Sequence, residues 1–71
     1  MIKNFDQLVQ TLREKQLHRW VDFIFVEYGV EWLRSAWDAF QDIYNYYIGD
    51  LPTNDDEVVV HFVTMVNDAL I

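Results

Sequence analysis

The chain has no cysteine, a single proline and two glycines in 71 residues. Without cysteine there is no disulfide to staple a small core and no thiolate to hold zinc, which fits a reducing cytoplasm. Few chain-breaking residues together with 52% apolar composition argue against disorder, even at a net charge of -7. Serine is scarce too: Ser35 stands alone, neither His18 nor His61 belongs to a nucleophile signature, and no enzyme is expected. Two isolated glycines do not build a phosphate cradle, so no nucleotide cofactor is expected. Residues 1–20 hold no apolar run of the kind that starts a secretory signal, so a cytoplasmic location is expected. The longest uncharged stretch, 58–67, includes His61, Thr64 and Asn67 and is too short and polar to span a bilayer.

Positive charge is the scarcest resource. Five Lys and Arg face twelve Asp and Glu. Lys3, Arg13, Lys15 and Arg19 lie in the first twenty residues against Asp6 and Glu14, whereas Arg34 alone answers the acids of the remainder. A nucleic-acid binder needs a basic stripe to meet phosphates, so direct nucleic-acid binding is not expected.

Aromatic side chains are abundant: three Trp, four Tyr and five Phe make up 17% of the chain. A domain this small gains only about 3–5 kcal/mol from its core unless packing is dense or a partner contributes. Aromatics serve both needs, because they dominate interiors and interfaces alike. The chain 1–71 is read as a single domain.

Apolar spacing predicts four helices. Asn4 is a cap with Gln7 three residues on, and Phe5, Leu8, Val9 and Leu12 line one face before the polar run Arg13–Gln16 ends it. Leu17, Trp20, Val21, Ile24, Phe25 and Tyr28 predict a second helix over 17–28, with Phe23 and Val26 off the stripe and needing cover on a second side. Gly29 marks a break. Val30, Leu33, Trp37, Phe40, Tyr44, Tyr47 and Ile48 predict the third helix, stopped by Gly49 with Pro52 beyond. Asn54 and Glu57 form another capping box, Asp55 and Asp56 complement the helix dipole, and Val58, Phe62, Met65, Val66 and Ala69 predict the buried face of a fourth helix. The fold class is therefore all-α, a compact four-helix domain. The alternative is an α+β arrangement with 21–28 and 58–66 as strands: β-branched and aromatic residues crowd 21–28, while alternation over the second segment would set His61 among valines and fits less well.

Glu57 and His61 stand four apart on one helical face, a metal-like spacing, but no further ligand lies near in sequence and no metal is expected. The third helix is more suggestive. Glu31, Asp38 and Asp42 fall along one outer line, with Trp32, Ala39 and Tyr46 beside it. Trp and Tyr are enriched at interface hot spots, and ordered carboxylates match a basic partner. The competing reading is that these aromatics pack on neighbouring helices and the acids only keep the protein soluble. Glu31, Trp32, Asp38, Asp42, Tyr46, Asp55 and Asp56 are the partner-binding candidates. Carboxylates one or two turns apart lie about 5–11 Å from each other, a range that overlaps phosphate separations. In size and charge the chain resembles the small acidic inhibitors of restriction and CRISPR systems from viruses and mobile elements, a resemblance of composition. It implies a nucleic-acid mimic that occupies the basic groove of a larger enzyme as an anti-defence inhibitor. The alternatives are a structural or regulatory homo-oligomerisation module, a dimer built from the aromatics of helices two and three, and a small subunit of a larger complex.

Overall fold

Local signals fix where each helix starts and stops. In the computed structural model the described residues are 2–47, 49 and 54–71, with Tyr47 described in its backbone alone. They form α1 (Phe5–Glu14), α2 (His18–Glu27), α3 (Val30–Tyr47) and α4 (Asp55–Ala69). No strand occurs among the described residues: 21–27 and 58–66 are helical, Tyr28 caps α2, and the α+β alternative is set aside.

The Asn4 side chain accepts from the Gln7 N–H at 2.8 Å, and Gln7 Oε1 reaches back to the Lys3 N–H at 2.7 Å, one residue earlier than in the usual reciprocal box. At the far end, the N–H groups of Gln16 and Leu17 return to the carbonyls of Arg13 and Leu12, a Schellman closure that places Gln16 at φ 65. That left-handed position ordinarily favours glycine. Gly29, at φ 97, closes α2 by donating to the Ile24 carbonyl at 3.1 Å, and its own carbonyl accepts from Leu33 as α3 begins. Gly49 donates to the Tyr44 carbonyl at φ 105, the left-handed stop expected after α3. The expected loop beyond it, with Pro52, lies outside the described residues, as does Ile48. Asn54 caps α4 through the Asp56 N–H at 2.8 Å.

Packing forms a ring in which α1 and α3 each contact α2 and α4. Leu8, Leu12, Val21, Ile24, Leu33, Trp37, Phe40, Val58, Phe62 and Val66 are buried together in one cluster. Phe62 sits at its centre and meets Trp20, Trp37 and Phe40 edge-on at centroid distances of 6.5, 5.8 and 5.5 Å. Trp37 and Phe40, three apart on α3, stack at 5.6 Å. The Trp20 indole N–H, which a half-buried ring must satisfy, donates to Asn67 Oδ1 at 2.9 Å and ties α2 to α4.

Several expectations need correction. Phe23 and Val26 are not covered on a second side: they are 52% and 83% exposed. In a ring of four helices each buries its inward stripe, and Phe23 and Val26 lie on the outward side of α2. Val30, at the first turn of α3, is also exposed. On α4, Val59 is buried and Ala69 exposed, so the buried stripe runs through Val58, Val59, Phe62 and Val66.

Candidate protein-binding surfaces

Helical geometry sets the α3 carboxylates in a row. Glu31, Asp38 and Asp42 are all exposed, and Asp38 and Asp42 make no ion pair among the described residues. One turn separates them, a Cα rise of about 6 Å. Glu31 reaches Arg34 at 3.7 Å, a loose pair with the Glu31 side chain still 83% exposed. Arg34 also lies over the Phe5 ring, 5.2 Å from its centroid, so the one cation of α3 is directed toward α1. The row is left acidic along its C-terminal half.

The aromatics beside the row divide. Trp32 is half-buried, tilted against Tyr28 at 5.0 Å, and belongs to the margin of the core. Tyr46 stands 82% exposed. It lines a shallow depression with Asp42, Ile43 and Asn45 at the end of the acidic row. Ile43, which no stripe assigned to the surface, is nearly half exposed there.

Asp55 and Asp56 do different work. Asp55 accepts the Ile2 N–H at 3.1 Å, and Asp56 pairs with Lys15, so the first turn of α4 holds residues from both ends of α1. The hydrogen bond to Asp56 raises the Lys15 ammonium above its ordinary 10.5, against a smaller desolvation effect, with added attraction from Asp56, Asp55 and Glu14. Arg13 pairs with Asp22 at 3.1 Å. Two of the four cations at the basic start, Arg13 and Lys15, are thus engaged with acids of the same molecule. Only the exposure of an acid is readable from charge pattern; which acids meet α1 depends on packing that no local spacing encodes.

His61 stacks on Tyr44 at 6.2 Å and its Nδ1 is hydrogen-bonded to the Tyr44 hydroxyl, joining α4 to α3. Glu57 is exposed one turn earlier. Among the described residues no group of three or more His, Asp or Glu side chains converges to hold a metal. No helix among them is long and apolar enough to cross a membrane.

Two further features follow from the folded packing. Phe23, Tyr28 and Trp32 form a ladder of rings across the α2–α3 junction, with Phe23 and Tyr28 edge-on at 6.4 Å. Beside it the outer face of α2 carries Arg19, Val26 and Glu27, all exposed. The sequence signalled this face through Phe23 and Val26 lying off the core stripe, a phase that fits solvent as well as a second covering layer. Comparison with protein-family models, with curated proteins and with solved structures finds no match to the chain.

Proposed function

We propose that the protein is a small, non-catalytic binding domain that acts on a larger partner with a basic surface, through the acidic row of α3. The observation that carries this reading is the exposure of Asp38 and Asp42, unpaired among the described residues and followed by the exposed Tyr46. Two uncompensated carboxylates one turn apart attract ordered cationic groups, and an adjacent aromatic gives such a contact an apolar anchor. Carboxylates at this spacing overlap phosphate separations on a nucleic acid, so in this reading the partner class is a nucleic-acid-handling enzyme and the mode of action is inhibition by occupying its phosphate-binding groove. In this reading the protein meets such an enzyme in the cytoplasm, where anti-defence inhibitors work. Glu31 and Trp32 extend the contact toward the start of α3, whereas Asp55 and Asp56 serve it through the fold.

The test is competition on purified nucleic-acid-binding enzymes, each preloaded with labelled oligonucleotide. The expected result is displacement that weakens steeply with salt and, in D38N/D42N, a slower association. Salt-resistant displacement that survives the double substitution would sink the mimicry.

A second reading, a homo-oligomerisation module, is favoured by a different observation: Phe23 and Val26 remain uncovered in the single chain.

A further inference from the structure

The outer face of α2 differs from the rest of the surface in charge as well as in polarity. Asp22 is neutralised by Arg13 at 3.1 Å. That leaves one cation, Arg19, and one anion, Glu27, both exposed and neither ion-paired among the described residues. They stand four residues before and four after Phe23, on the same side of the helix. The face is therefore locally balanced in an acidic molecule, and its pattern is cation, aromatic, anion.

Such a pattern is complementary to itself when reversed. A two-fold axis at Phe23 runs α2 antiparallel to α2 of a second copy, brings the two Phe23 rings together, and sets each Arg19 against the other copy's Glu27. In a symmetric interface every contact occurs twice, so one self-complementary motif yields two ion pairs flanking an apolar centre. A parallel arrangement gains neither pair. Val26, 83% exposed one turn from Phe23, then packs along the aliphatic stem of the partner's arginine. The acidic row of α3 could not meet its own copy in this way, because like charges would face each other.

We infer that the occupant of this face is a second copy of the chain, docked antiparallel through α2 with reciprocal Arg19–Glu27 pairs around Phe23. The inference rests on the self-association reading and is independent of the α3 carboxylates. Because α2 is one short helix, the dimer is a weak one that forms at elevated protein concentration.

The experiment is sedimentation equilibrium over a wide concentration range for the wild type, R19E, E27R and R19E/E27R. The expected result is a reversible dimer, weakened about tenfold or more by either single reversal, since each places like charges together twice, and restored to within about threefold by the double reversal. V26D should abolish it. All three positions are exposed, and circular dichroism of each variant confirms an unchanged fold. A wild type that stays monomeric throughout the range overturns both the inference and the self-association reading. A wild-type dimer that ignores the single reversals, or that the double reversal fails to restore, overturns the α2 geometry alone and leaves self-association through another face.

Discussion

Two groups of aromatic rings, of nearly the same composition, meet opposite fates in this molecule. Trp37, Phe40 and Phe62 join α3 to α4 and are essentially closed to solvent, whereas Phe23, Tyr28 and Trp32 join α2 to α3 and leave two of their three rings open. Chemistry of the side chains does not separate them. The difference lies in what meets each group: Phe62 of α4 is enclosed by rings from α2 and α3, while among the described residues the rings of the outer ladder meet no ring but one another. Burial here is a property of topology imposed on an aromatic-rich sequence.

Breaking the inner group should have the largest effect. F62A removes the ring on which Trp20, Trp37 and Phe40 converge, an expected loss of about 3–5 kcal/mol, comparable with the whole stability available to a core of this size. Urea titration followed by circular dichroism should find the variant largely unfolded without denaturant.

The next effect falls at the junction that carries the outer ladder. A Cβ at Gly29 meets nothing within 4 Å, so G29A tests the backbone alone at φ 97. The expected cost is about 1–2 kcal/mol, read as a lower urea midpoint with an unchanged slope. The outer ladder itself should matter less. F23A loses one edge-on ring contact and half-exposed area, an expected change of no more than about 1 kcal/mol. A loss as large as that of F62A would erase the contrast between the two groups.

The smallest effect is electrostatic. Lys15 has its folded-state value raised above 10.5 by the Asp56 hydrogen bond, so the stabilisation it supplies is fully present below that pH and fades as pH rises through the raised value. K15M should flatten this alkaline decline, measurable by thermal melts between pH 9 and about pH 12, and high salt should shrink the difference because the pair is exposed.

Helix starts, stops and the inward stripes were legible in the sequence because they depend on near neighbours. Asn4 and Asn54 cap, Gly29 and Gly49 terminate, and Leu8, Leu12, Leu33, Trp37, Phe40 and Phe62 are buried as their spacing implies. What spacing could not supply is which flank of each helix meets a neighbour. Phe23 and Val26 fall outside the stripe of α2 in either case, and only the ring arrangement decides that they face solvent. Val59 illustrates the converse, an off-stripe residue that the packing buries. In the candidate surface the exposure of Glu31, Asp38 and Asp42 followed from phase along α3, but the ties of Asp55 to Ile2 and of Asp56 to Lys15 span most of the chain and have no local sign. Gln16 gave no signal either: its left-handed φ is enforced by the turn into α2, in a position where glycine is the usual choice.

The three tryptophans occupy three unlike settings: Trp37 inside the core, Trp20 hydrogen-bonded to Asn67 across two helices, and Trp32 tilted on Tyr28 beneath the open face. Each indole therefore emits from its own dielectric surroundings. Retaining one and replacing the other two with phenylalanine turns the protein into an optical probe of a chosen place, so that Trp37 follows the core, Trp20 the α2–α4 clasp, and Trp32 the arrival of anything that covers the α2–α3 junction.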